Sequence, residues 1–144
     1  MATNERFMPV PPEMVWDTLA DPGSYGYWVI GSKDIRDADA DWPTPGSRFH
    51  HTIGAGPLTI RDHTESLEAN PPWRLKLRAK GRPAITAAVT LELIPEDGGT
   101  TVRMHEQPDG VFRPLALFPP VHFATKWRNA ASLKRLEELA VQRA

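Results

Sequence analysis

From Trp73 to Lys80 the chain changes character at every step: Trp73, Leu75, Leu77 and Ala79 alternate with Arg74, Lys76, Arg78 and Lys80. A period of two means a β-strand with one dry face and one wet face. Such a strand needs neighbours to pair with and a second layer to cover its apolar side. The same period extends on both sides. Lys33 to Ala38 reads as a weak strand, and Arg48 to Ile53 and Leu58 to Leu67 flank Gly54-Ala55-Gly56-Pro57, a hairpin turn. Thr86 to Leu93 and Thr101 to Glu106 are joined by Pro95-Glu96-Asp97-Gly98-Gly99, a second hairpin. Together they predict an antiparallel meander.

The covering layer is legible at both ends. Thr3 to Met8 predicts a first strand, after which Pro11 and Pro12 open a helix. A proline lacks only an N–H that would have no partner there, and Glu13 suits the positive helix end. Val15, Trp16, Leu19 and Ala20 follow helical spacing, and Asp21-Pro22 predicts the start of a second short helix ending near Gly26. Beyond Pro119-Pro120 the period is helical again, with Val121, Ala124, Trp127, Ala131, Leu133, Leu136, Leu139 and Ala140 as an apolar stripe. About 20 such residues make a helix roughly 30 Å long, enough to cross a sheet. Trp16 and Trp127 are expected in the core. The prediction is an α+β fold in one domain, residues 1–144: a curved antiparallel sheet wrapped around a long C-terminal helix, with two short helices after the first strand.

Strand parity selects the residues of the inner face. With Ala55-Gly56 as the hairpin loop, Ile53 faces Leu58, His51 faces Ile60 and Phe49 faces Asp62, all on one side. The second hairpin, closed between Leu93 and Thr100, sets Leu91 opposite Val102, Val89 opposite Met104 and Ala87 opposite Glu106. Three polar residues thus interrupt an apolar face: His51, Asp62 and Glu106. His51 and Asp62 become diagonal neighbours, with Cβ atoms ~7–8 Å apart or less. As an imidazole–carboxylate pair they would move a proton next to a carbonyl group. Asp62 fits equally a sheet-end position with loop hydrogen bonds, and His51 a satisfied core histidine. Glu106 beside small Ala87 suggests space for a ligand, or solvation at the sheet edge.

Other chemistry finds little footing. The formal net charge of −1 provides no basic field for nucleic acid or for anionic lipid, and the absence of cysteine removes thiolate chemistry and suits a reducing cytoplasm. Met1 to Val10 has no apolar core of a signal peptide. Val111 to Ala124, the most apolar stretch, is interrupted by Arg113, Pro114, Pro119 and Pro120, so a membrane-embedded chain is not expected. Asp37-Ala38-Asp39-Ala40-Asp41 imitates a calcium loop, but Trp42 and Arg48 stand where glycine and glutamate are required. His50 and His51 point to opposite faces, and no metal site or cofactor is expected. Nucleophile-elbow, phosphate-loop and dinucleotide fingerprints are absent.

Short segments in a fixed order carry a family resemblance: Val15-Trp16-Asp17-Thr18-Leu19-Ala20-Asp21-Pro22, Tyr27-Trp28, Pro45-Gly46-Ser47, Gly56-Pro57-Leu58, Asp62-His63-Thr64-Glu65, Pro71-Pro72-Trp73-Arg74-Leu75, Gly99-Thr100-Thr101-Val102 and Arg128-Asn129-Ala130-Ala131-Ser132-Leu133. The chain resembles the START-like (SRPBCC) superfamily, in its bacterial polyketide cyclase/dehydrase and lipid-transport branch. That resemblance implies a helix-grip fold whose sheet and long helix enclose an apolar cavity. Members include carriers, cyclases and chaperone activators, so the fold leaves the function open.

Three functions follow as expectations. The first is binding of a small hydrophobic, lipid- or polyketide-like molecule in the cavity, with Tyr25, Tyr27 and Trp28 near the mouth. Its expected contacts are Trp28, Phe49, Leu77, Val89, Met104, Glu106 and Val121. The second is a cofactor-independent polyketide-type cyclase or dehydratase, with His51 as base and Asp62 orienting it. The third is a chaperone-activator-like interaction protein, for which the sequence offers no convincing docking patch. A homodimer is compatible with all three.

Overall fold

The computed structural model describes residues 2–30, 32–55, 58–81, 85–109 and 119–143. β1 (Ala2–Met8) leads into α1 (Pro12–Leu19), a 3-10 turn (Pro22–Ser24) and α2 (Tyr25–Trp28). Then come β2 (Ser32–Ala38), β3 (Arg48–Ala55), β4 (Leu58–Asn70), β5 (Arg74–Gly81), β6 (Ile85–Glu96), β7 (Gly99–Asp109) and α3 (Pro119–Arg143). The strands form one curved antiparallel sheet in the order β1-β7-β6-β5-β4-β3-β2. The helix-grip architecture implied by the family resemblance is therefore present.

The topology follows from the first connection. β1 and β2 are consecutive among the strands yet occupy opposite edges, so α1 and α2 must carry the chain across the inner face. α1 begins at Pro12, with Glu13 in its first turn, and buries Val15, Trp16, Thr18 and Leu19. The expected second helix is a 3-10 turn continuing into α2. The Asp21 side chain accepts from Gly23 N at 3.0 Å and turns the backbone there. α3 lies over β1 and against α1 and α2.

Both hairpin registers differ from the parity estimate by two residues. Ala55 pairs with Leu58, Ile53 with Ile60, His51 with Asp62 and Phe49 with Thr64. Gly56 and Pro57, half of the expected turn, lie outside the described residues, as do the side chains of 52–55 and 58–62. In the second hairpin Glu96 pairs with Gly99, so Leu91 faces Met104 and Val89 faces Glu106. The loop is the two residues Asp97-Gly98, tighter than assumed, with Gly98 at φ 80°. A shift of two preserves the face of every side chain. Leu75, Leu77, Val89, Leu91, Leu93, Val102 and Met104 all belong to the buried core. Gly99 is required by close approach, because a Cβ there would lie 2.1 Å from the Met8 carbonyl oxygen.

Two tryptophans depart from expectation. Trp73 precedes β5 in a turn, where its N–H bonds the Asn70 carbonyl and its carbonyl accepts from Leu93, leaving the ring half-exposed. Trp127 is 73% exposed. The seam that α3 buries is Asn129, Ser132, Leu133, Leu136 and Ala140. At 3.6 residues per turn, nine residues are about two and a half turns, so Trp127 lies opposite Leu136. The apolar stripe read from the sequence merged two faces, because the true seam contains two polar residues.

This assignment makes a contrast measurable by thermal or urea denaturation. Leu136→Ala should destabilise by about 2–5 kcal/mol, whereas Trp127→Ser should change stability by no more than about 0.5 kcal/mol.

Candidate ligand site

The inner face begins in an aromatic block beneath α2. The Tyr25 ring lies 4.7 Å from Phe49, 4.9 Å from Trp28 and 5.8 Å from Trp42, centroid to centroid, and Phe49 continues to His51 at 5.4 Å. These tilted and edge-on pairs add to the burial of the rings themselves. Tyr25 and Trp28, expected near a mouth, are instead fully buried, and Tyr27 is the exposed member. Tyr27 docks α3 from outside: its hydroxyl donates to Glu138, and the Arg135 guanidinium sits 5.4 Å over its ring.

Trp42 completes the block and was missed as a core residue, being noticed only as the wrong occupant of a calcium loop. The loop around it is held by its own polar groups. Asp39 Oδ2 accepts from Arg48 N at 2.9 Å, Asp41 Oδ2 accepts from Thr44 Oγ1 at 2.8 Å, and Ser66 Oγ on β4 donates to the Pro43 carbonyl at 2.7 Å. Seated this way, Trp42 Nε1 donates to the Leu19 carbonyl at 3.1 Å, which also accepts from the Tyr25 hydroxyl at 2.8 Å. Burial pushes the Tyr25 phenol far above its ordinary value.

His51 sits at the edge of this block, buried, with Nε2 hydrogen-bonded to Thr64 Oγ1 at 3.0 Å. Thr64 was not singled out from the sequence. It lies two residues beyond Asp62 on the same face, so the corrected register is what reveals it. The backbone places His51 directly opposite Asp62 rather than diagonal to it; the Asp62 side chain lies outside the described residues. Phe49, Leu77, Val89 and Met104 are all buried in the core, on β3, β5, β6 and β7. Their common face is the one His51 shares. Val121 stands apart, exposed in the first turn of α3.

Glu106 is opposite Val89, not Ala87, and it is paired. Arg128 Nη2 reaches both carboxylate oxygens, at 2.8 and 2.9 Å, and ties β7 to α3. The signal for this partner was a cation close to the expected helix stripe. α2 and α3 are in contact, and each of them carries a buried donor of note. Ile30 N donates to Ser132 Oγ at 3.1 Å, which fixes the two helices together. One turn before Ser132, the 1% exposed Asn129 has a buried Nδ2, and two residues before Ile30, Trp28 has a buried Nε1. Neither donor has an acceptor among the described residues. Among those residues there is also no cluster of three or more histidines and carboxylates suited to a metal. No described helix is long and apolar enough to cross a membrane.

With this geometry in view, the chain matches one family model, "Polyketide cyclase / dehydrase and lipid transport", over residues 2–141. Solved structures share the fold. A protein from Nitrosomonas europaea is 21% identical with TM-score 0.73, the match covering 99% of this chain and 94% of that one. A protein of unknown function from Staphylococcus aureus is 12% identical with TM-score 0.78, covering 98% and 93%. A Thermus thermophilus protein is 18% identical with TM-score 0.72, covering 99% and 98%. No curated protein is a significant match to the sequence.

Tyr25 offers a pH test of the aromatic block. Its folded-state pKa is raised, so the stability it contributes is complete below about pH 10 and declines as the unfolded phenol ionises above that. Tyr25→Phe should flatten this alkaline loss in urea titrations. At neutral pH it should cost only about 1 kcal/mol, since Trp42 still satisfies the Leu19 carbonyl.

Proposed function

Because the chain belongs to the polyketide cyclase/dehydrase and lipid-transport family, we propose that it binds a small, largely apolar molecule between the inner sheet face and α3. The ligand's polar end is a hydrogen-bond acceptor such as a carbonyl or hydroxyl oxygen. The observation that carries this reading is the pair of buried donors without acceptors, Trp28 Nε1 and Asn129 Nδ2. A buried donor left unsatisfied costs about 1–3 kcal/mol, and native interiors hold few of them. A ligand oxygen at the α2–α3 contact would remove that cost, while Phe49, Leu77, Val89 and Met104 line the apolar remainder. Glu106 and Val121 would border the site, the first held by Arg128.

The test is native mass spectrometry of the purified protein, with extraction of what co-purifies. A stoichiometric apolar molecule carrying an oxygen acceptor is expected. Asn129→Leu should keep or raise the Tm of the ligand-stripped protein and lose the bound molecule. If nothing co-purifies, and neither long-chain fatty acids nor aromatic polyketides raise the Tm of the stripped protein, the reading fails.

A second reading is favoured by the register that puts His51 opposite Asp62 with Thr64 on the imidazole. In it, the bound molecule is a carbonyl compound. His51 removes the proton from the adjacent carbon, Asp62 orients the ring, and the walls hold the folded conformer that cyclises or dehydrates. Any turnover of the extracted ligand should fall by about 10²-fold or more in His51→Ala. Unchanged rates in both His51→Ala and Asp62→Ala would leave binding as the whole function.

A further inference from the structure

The outer side of α3 carries the two most exposed large hydrophobic side chains among the described residues. Phe123 and Trp127 are one turn apart and 68% and 73% exposed, on the side of the helix away from the buried seam. Large aromatic side chains exposed together are the informative exception on a protein surface. The helix around them is cationic as far as Leu136, beyond which Glu137 and Glu138 are engaged by Arg6 and Tyr27. Between residues 119 and 136 the chain has Lys126, Arg128, Lys134 and Arg135 and neither aspartate nor glutamate, within a protein of net charge −1. Arg128 is neutralised by Glu106, and Arg135 is drawn over Tyr27. Lys126 and Lys134 are exposed, three residues after Phe123 and seven after Trp127, so both flank the aromatic pair.

We infer that the N-terminal half of α3 is a docking surface for an anionic phospholipid bilayer. Phe123 and Trp127 enter the interface between headgroups and acyl chains, and Lys126 and Lys134 lie against lipid phosphates. The helix lies on the membrane rather than spanning it. The amphipathic indole of Trp127, the apolar Phe123 ring and the long cationic stems match that boundary. Charge separates this occupant from a second copy of the chain. A two-fold interface would place the same patch against itself, bringing Lys126 and Lys134 of one protomer toward those of its partner. An anionic bilayer satisfies both the rings and the cations. The inference rests on the outer side of α3 and does not depend on what the interior binds.

Vesicle sedimentation with ligand-stripped protein tests it. The protein should pellet with phosphatidylcholine vesicles containing phosphatidylglycerol and much less with phosphatidylcholine alone, and added salt should weaken the association. Phe123→Ser/Trp127→Ser and Lys126→Glu/Lys134→Glu should each lower partitioning by about tenfold or more, with Tm unchanged because all four residues are exposed. The inference is overturned if the wild type fails to pellet with phosphatidylglycerol vesicles, or if both variants pellet as it does. It is equally overturned if light scattering shows a dimer that Phe123→Ser/Trp127→Ser disperses while vesicles are ignored. That outcome would assign the patch to a second copy.

Discussion

β1 pairs with β7 from Ala2 opposite Glu106 to Met8 opposite Thr100, and this closure of the first strand onto the last holds the layers in place. The hairpin end of β7 comes close enough to β1 that only glycine fits at position 99. Thr100 Oγ1 then donates to the Val10 carbonyl at 2.8 Å, fixing where the chain leaves the sheet for α1. On the inner side β1 becomes the seat of α3. Asn4 Nδ2 donates to the Lys126 carbonyl at 3.0 Å, and Arg6 meets Glu137 at 2.9 Å. Such part-exposed contacts are individually weak. Their consequence is positional, since they hold the helix above one edge of the sheet while α1 and α2 cover the remainder.

Within that frame the polar residues of the interior fall into two kinds. Some polar atoms are satisfied by the protein itself: His51 Nε2 by Thr64, Ser66 by the Pro43 carbonyl, Tyr25 and Trp42 by the Leu19 carbonyl. These specify how the 39–47 loop and α2 seat on β3 and β4, since an apolar block alone would tolerate several packings. Asn129 and Trp28 are of the other kind, and leucine and phenylalanine would fill similar volumes without an unsatisfied donor. In the proposed reading these two donors meet the oxygen of a bound molecule.

Among the described residues the period-two segments were legible down to the face of most side chains, Trp73 at the start of one being the exception, because an error of two in register leaves parity intact. That is why Phe49, Leu77, Val89 and Met104 were correctly assigned to the interior although both hairpin loops were placed too early. Partnerships are less forgiving. Glu106 acquired the wrong neighbour, and Thr64 stayed hidden until the strands were paired. α3 was the harder case. Its seam uses Asn129 and Ser132 where an apolar pattern demands hydrophobic residues, and its outer side uses Phe123 and Trp127 where the pattern demands polar ones. A stripe fitted to hydrophobicity alone therefore averaged across both sides. Trp42 was obscured for a different reason: its position depends on hydrogen bonds local to an acidic loop, which no periodicity reports.

The inversion on α3 ties the interior to the surface. Trp127 and Asn129 are two residues apart on one rigid stretch of helix, the first facing out and the second facing in. Arg128 between them is anchored to β7 through Glu106. Asn4 Nδ2 on β1 donates to the Lys126 carbonyl one residue before Trp127, so this stretch of helix is tied to two strands of the sheet. Those polar anchors specify which residues of α3 face out and which face in, where a hydrophobic seam alone would leave the rotation of the helix less defined.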